Sequence, residues 1–282
     1  MPNPIADPLV EVIDTDALSP LVIIDGTGSG AIVVTINRAD RKNAFNAEVI
    51  AALNQAFETL EGADGVRVIF LQGAGGTFSA GADLEWMRAA ADFTEAENRE
   101  DAMAMAVMLK RLHGLPALTV ALVEGAAFGG GAGLAAACDI AIATETARFA
   151  FSEVKLGLIA ATISPYVVGA IGARRARSLF ATGRAFDAAH ALEIGLIDEL
   201  AADRDGLMAA RDRIAADMMA CAPGAVAESK RLVDIVAGRE IDHGLMEDTA
   251  RRIARARISD EGREGIAAYL ARRPPGWTEG AA

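Results

Sequence analysis

Between Gly125 and Cys138 the chain runs G-A-A-F-G-G-G-A-G-L-A-A-A-C, with no charged side chain. Glycines packed this densely ahead of a short apolar alanine segment let the backbone approach a ligand with its N–H groups uncovered. The first turn of a helix leaves such donors unsatisfied and carries the positive end of the helix dipole. A phosphate fits that environment, and so does an oxygen that gains negative charge during a reaction. The competing reading is a buried helix whose glycines only permit close packing. The flanking strand and a later glutamate decide between the two.

Residues 1–20, rich in proline and aspartate, read as a loosely held arm. Leu21–Asp25 and Ala31–Asn37 are β-branched runs joined by G-T-G-S-G, a hairpin pattern. A charged loop with Arg38, Arg41 and Lys42 follows, and Asn46 is the expected N-cap of a helix burying Val49, Ile50, Leu53, Phe57 and Leu60. Val66–Leu71 reads as a buried strand leading into a second glycine-rich loop, Gly73–Asp83. Thr94 and Glu97 have capping-box spacing for a helix that Gly114 and Pro116 stop. Strands are expected at Leu118–Val123, Asp139–Ala143 and near Ala147–Ser152. After Gly157 the strand signals cease and helices follow: one from Ser164-Pro165, one over Ala173–Ala181, one from Asp187 to Gly195, and helical pattern from Asp203 to Ala271. Strands alternating with helices, then helices alone, predict an α/β core over 20–200 and a helical region over 201–282.

The glycine-rich loops Thr77–Asp83 and Ala127–Gly133 each follow an expected strand. One oxygen is best held by two donors, and the backbone N–H groups of Ala80 and Gly130 are the candidates. Glu153 ends F-A-F-S-E-V-K-L-G, where Phe149, Phe151, Val154 and Leu156 make an apolar neighbourhood. Such surroundings raise a carboxyl's pKa toward the range useful for proton transfer; a solvated carboxylate beside Lys155 is the alternative. No G-x-S-x-G occurs, and His113, His190 and His243 lie near no nucleophile pattern. Cys138 and Cys221 form neither a disulfide framework nor a zinc signature, so no metal is expected. Gly131-Ala132-Gly133-Leu134-Ala135-Ala136 fits a relaxed dinucleotide pattern, but the segment before it is too long for the tight turn that pattern needs. A net charge of −12 argues against nucleic acid. The longest uncharged stretch is too short and too rich in glycine to span a bilayer. With no apolar N-terminal leader, a cytoplasmic protein is expected.

Together N-R-A-D-R-K-N-A-F, F-S-A-G-A-D-L, A-L-T-V-A-L-V-E-G-A-A-F-G-G-G, L-A-A-A-C-D-I-A-I-A and F-A-F-S-E-V-K-L-G-L resemble the enoyl-CoA hydratase/isomerase (crotonase) family. The likeness continues through T-G-R-A-F-D-A-A-H-A-L-E-I-G-L-I-D-E-L and E-G-R-E-G-I-A-A-Y-L-A-R-R-P-P-G-W and covers roughly Ile32 to Trp277. It implies a spiral of ββα units with a C-terminal helical trimerisation region, assembled as a homotrimer or a dimer of trimers. It also implies an acyl-CoA thioester substrate, with coenzyme A entering as part of the substrate and no other cofactor. The thioester oxygen is expected on the amides of Ala80 and Gly130, with Glu153 moving the proton. Substrate contacts are implied at Arg38, Arg41, Lys42, Ala44, Phe45, Ser79, Ala82, Asp83, Leu84, Gly129 and Gly133. Tyr269, Arg272 and Arg273 are expected at the nucleotide, often reaching it from a neighbouring subunit.

The departures from the family pattern bear on mechanism. Hydratases of the family carry a glutamate where this chain has Gly133, so the carboxylate that would activate water is absent and Glu153 stands alone. S-E-V-K-L-G-L with I-S-P-Y-V-V is similar to a branch that hydrates methylglutaconyl-CoA and isohexenylglutaconyl-CoA. A single glutamate also suits migration of a double bond from Δ3 to Δ2. A member of another class, a CoA-thioester binder with weakened catalysis, would have less reason to keep Glu153 and both glycine loops.

Overall fold

In a computed structural model of the chain, which describes residues 19–26 and 30–278, the two β-branched runs pair as β1 (Val22–Gly26) and β2 (Ala31–Ile36) in an antiparallel hairpin. The tip at 27–29 and nearly all of the expected arm at 1–20 lie outside the described residues. Asn46 caps α1 (Ala47–Glu61) by accepting from the Val49 amide at 2.9 Å. Its apolar face then lies against the sheet, as the i, i+3, i+4 spacing requires.

The larger sheet has six strands. β2 is followed by parallel β3 (Val68–Gly73), β4 (Leu118–Val123), β6 (Ile140–Thr144) and β9 (Glu199–Ala201), in the order β1-β2-β3-β4-β6-β9. Both faces are buried, so its central strands are apolar throughout and alternate between two cores. Ile32, Val34, Ile69, Leu71, Ala121 and Val123 face one way, toward α1 and toward α3 (Glu95–Gly114), which starts at the Thr94–Glu97 capping box. Val33, Val68, Phe70, Val120, Leu122 and Ile142 face the other way.

A smaller sheet holds β5 (Ala126–Phe128), β7 (Arg148–Ala150) and β8 (Ala185–Asp187). The chain alternates between the sheets. β4 leads to β5 and then α4 (Gly130–Ala137); β6 leads to β7 and then α5 (Ser164–Thr182), which breaks at Gly172 with φ 77°. Before them, β3 leads to a one-residue rung at Ser79 beside Ala127 and then α2 (Leu84–Ala90). This is the expected spiral of ββα turns. β8 and β9 were not expected: at three residues each, they exist only because a neighbouring strand is there to pair with. Between them α6 (Ala188–Ile194) starts at its Asp187 cap and ends at Gly195.

The second face of the large sheet is closed by α7 (Arg204–Met219) through Leu207, Ala210, Ile214 and Met218. The expected boundary at 200/201 therefore cuts a continuous packed layer. Beyond it, α8 (Pro223–Val236), α9 (His243–Ile258) and α10 (Asp260–Ala271) bury only Ala227, Leu245 and Ala268. Among the described residues no helix is long and apolar enough to cross a membrane.

Two side chains of α8 reach the core in polar contacts: Asp234 lies 3.4 Å from the His113 ring, and Lys230 makes the shorter set. The Lys230 ammonium lies 2.7 Å from the Asp139 carboxylate and donates to the carbonyls of Leu115 and Ala117, each at 2.7 Å. Lys230→Met leaves these acceptors without their shared cation and is expected to cost about 2–3 kcal/mol of unfolding free energy. Urea denaturation of the two proteins measures it.

Candidate active site

The two glycine-rich loops are joined by backbone pairing. The Ser79 amide donates to Ala126 at 2.9 Å, and the Phe128 amide donates back to Ser79 at 3.0 Å. Two glycines let the chains come that close. A β-carbon on Gly81, where φ is +94°, would lie 3.0 Å from the Phe128 carbonyl oxygen, and one on Gly131 would lie 2.8 Å from that of Ser79. The loops that the sequence offered separately are thus one structure.

Within it the Ala80 expectation is corrected. Its N–H donates to the Lys42 carbonyl at 3.0 Å, so it is already used. Ala82 lies two residues on, in a parallel bridge with Phe45: the Gly81 carbonyl accepts from Phe45 at 2.7 Å and the Asp83 amide donates to Phe45 at 2.8 Å. Alternation along an extended segment turns the N–H of Ala82 to the opposite edge, the edge on which Gly81 meets Phe128. Ala82 is exposed between two buried neighbours, and its amide has no hydrogen-bond partner among the described residues. Gly130 begins α4 with no side-chain cap, and its N–H is likewise unpaired among the described residues. The family resemblance implied a substrate contact at Ala82 but could not show which alanine of S-A-G-A-D keeps a free amide.

Glu153 opens a 3-10 turn, Glu153–Leu156, directly after β7. Its carboxyl turns inward: Oε1 is 3.0 Å from where a β-carbon of Gly129 would sit. Oε2 is buried with no hydrogen-bond partner among the described residues. Burial pushes the carboxyl above its ordinary value, and only its own backbone N–H opposes that. Lys155 is exposed and does not pair with it. An apolar cavity of about 530 Å³ opens beside Glu153, walled by Phe151, Val154, Leu158, Val168 and Phe180.

The charged loop of Arg38, Arg41 and Lys42, where substrate contacts were implied, is only partly available as a cation. Arg38 is half-buried and held 2.7 Å from Asp83, while also donating to the Ala44 carbonyl at 3.1 Å, so its charge is neutralised inside the protein. Burial acts to raise the Asp83 carboxyl, but the Trp86 amide, the Arg38 guanidinium and the Glu85 amide together hold it below its ordinary value. Asp83 thereby caps α2. Ala44, Phe45, Ser79, Gly129 and Gly133 are buried. Arg41, Lys42 and Leu84 are exposed and free to meet a ligand, although Arg41 also lies 3.3 Å from Glu85. Asn43, unremarked in the sequence, is fully buried; its side chain ties this loop to the carbonyls of Ala74 and Thr77.

Tyr269, Arg272 and Arg273 do not join these residues within one chain. Arg273 pairs with Glu264, and the tail after it is anchored near the start of β3, where Arg67 donates to the Trp277 carbonyl. The glycine loops follow the other end of that strand.

Residues 26–280 match the family model for enoyl-CoA hydratase/isomerase. An enoyl-CoA hydratase of Alternaria alternata is 32% identical over 247 residues, covering 86% of this chain and 78% of its own. Among solved structures, an enoyl-CoA hydratase of Shewanella pealeana superposes with a TM-score of 0.90 at 38% identity, covering 95% of this chain and 98% of its own. An enoyl-CoA hydratase/isomerase of Marinobacter aquaeolei gives 0.86 at 35% identity, covering 93% and 100%.

A carboxyl whose pKa is raised by folding supports the fold while protonated, and that support is lost as pH rises from the unfolded value through the raised one. Glu153→Gln is therefore expected to melt above the parent at about pH 8, with the gap closing below the ordinary value of 4.5. Thermal denaturation across that range checks the sign.

Proposed function

Because the chain belongs to the enoyl-CoA hydratase/isomerase family, we propose that it is an enoyl-CoA hydratase working through a thioester enolate. Glu153 carries the proton, and the amides of Ala82 and Gly130 hold the oxygen. The observation that carries this reading is the desolvated, orphaned Oε2 of Glu153 at the glycine knot. In the addition, a water oxygen bonds to C3 while the C2=C3 electrons move toward the thioester carbonyl, and a water proton passes to Glu153. The charge collects on the thioester oxygen, where two pre-aimed backbone donors are worth most; losing one such donor typically costs about 10²- to 10³-fold in rate. Glu153 then returns a proton to C2 and is a carboxylate again.

Coenzyme A would meet the exposed Arg41 and Lys42, and Tyr269, Arg272 and Arg273 would reach it from a neighbouring copy in a trimer or dimer of trimers. The exposed Ile253, Ile258, Ile266 and Leu270 supply an apolar face for such assembly. The cavity beside Glu153 has room for a branched acyl group, and Arg177 in its wall supplies a cation for the terminal carboxylate of a methylglutaconyl chain.

A second reading is favoured by Gly133, which brings no second carboxyl. In Δ3 to Δ2 isomerisation Glu153 takes a proton from C2, the double bond shifts, and the same carboxyl delivers the proton at C4. Its single base suffices there.

Crotonyl-, 3-methylglutaconyl- and 3-hexenoyl-CoA, with water addition and alkene migration scored separately, test both readings. Glu153→Ala is expected to lose at least about 10²-fold in turnover, with acyl-CoA affinity nearly unchanged by calorimetry. Equal turnover in the variant would overturn the role of Glu153, and silence of the parent on all three substrates would leave only a thioester-binding protein.

A further inference from the structure

Gly133 lies one helical turn beyond Gly129, to whose carbonyl its N–H donates at 3.0 Å. Helical Cα–Cβ bonds lean toward the N-terminus, so a side chain at 133 would reach back over Gly129, against which the Glu153 carboxyl rests. That volume is already filled. A β-carbon at 133 would collide with Cγ2 of Ile163 and fall 2.5 Å from its Cβ. Ile163 is 1% exposed and cannot simply swing aside into solvent. Its carbonyl accepts from Val167 at 3.1 Å as α5 begins, and the preceding Thr162 hydroxyl lies 3.8 Å from the Met105 sulfur. Met105 in turn covers Gly130: a β-carbon there would be 2.7 Å from its Cε. The wall beside the free amide of Gly130 and the Glu153 carboxyl is therefore apolar, made by Ile163 and Met105.

We infer that Ile163 is a specificity-determining residue: it occupies the volume that a second proton-handling side chain at position 133 would need. It thereby keeps a water-activating group out of position 133, and with it the shift from double-bond migration toward water addition that such a group would bring. This rests on the enoyl-CoA reading above. An ordered water in a protein makes about three hydrogen bonds, and the Ile163–Met105 wall offers it none. Moving a proton between two carbons requires only the carboxyl on the other side. Removing Ile163 by itself leaves a small apolar gap, which stays dry; the outcome changes when a carboxyl is also supplied to the space.

The test compares the full chain with Gly133→Glu, Ile163→Ala and the double variant, by melting temperature and by products from crotonyl- and 3-hexenoyl-CoA. Gly133→Glu alone is expected to melt at least about 5 °C lower, and adding Ile163→Ala to recover most of that loss. The double variant is expected to raise the ratio of water addition to alkene migration at least about tenfold, equivalent to 1.4 kcal/mol between the two barriers. Ile163→Ala alone should move that ratio less than about twofold, because its cavity is dry. Without thermal rescue, or with rescue and an unchanged ratio, an active parent overturns the role of Ile163 alone. A parent inactive in both reactions overturns the enoyl-CoA reading and the partition with it, while thermal rescue still reports whether Ile163 holds the space.

Discussion

One rung of backbone pairing, Ser79 against Ala127, holds the candidate site together. It lies beyond the ends of two neighbouring parallel strands, β3 and β4, and joins the loops that leave them. Without it, the Ala82 and Gly130 amides would belong to unrelated turns. With it, both edges of the Ser79–Asp83 segment are assigned: one edge bonds to the Lys42–Phe45 loop, the other faces β5 and the start of α4. The glycines at 81 and 131 are there because any side chain would push the loops apart.

The electrostatics of the site follow from that packing. The protein carries a net charge of −12, yet the pocket is neither acidic nor basic overall. Arg38, half-buried in the adjoining loop, is matched to Asp83, and that pair is used to hold a loop and cap a helix. Glu153 is left as an isolated carboxyl in apolar surroundings, with an oxygen that no group among the described residues satisfies. A buried polar atom without a partner lowers stability, and such an arrangement persists where the partner is a ligand. The same desolvation that disfavours the charged carboxylate brings its proton affinity nearer to that of a carbon acid next to a thioester.

The last three helices contrast with the rest. α7 completes the core, whereas α8 is attached mainly through the Lys230–Asp139 and His113–Asp234 pairs and α9 and α10 hardly bury a side chain. Ile253, Ile258, Ile266 and Leu270 on the last two helices stay exposed. The basic and aromatic tail lies at the far end of β3 from the site.

The order of the elements was legible in the chain because it depends on local chemistry. Asn46 and Thr94 cap helices, Gly114 and Gly195 end them, and apolar runs too short for helices became strands. Also legible was the presence of Glu153 and two glycine loops, since an apolar setting and a dense glycine run are properties of neighbours in sequence. Strands β8 and β9 were not legible, because three residues hold no periodicity and their pairing partners lie far along the chain. Neither was the choice of Ala82 over Ala80: both are alanines in the same motif, and they differ only in whether the Lys42 carbonyl is within reach. The neutralisation of Arg38 and the filling of Gly133's space by Ile163 were likewise decided in three dimensions. Sequence determines which groups are available and where the chain bends. Which of those groups remain unsatisfied depends on contacts between distant segments, and only the folded structure decides that.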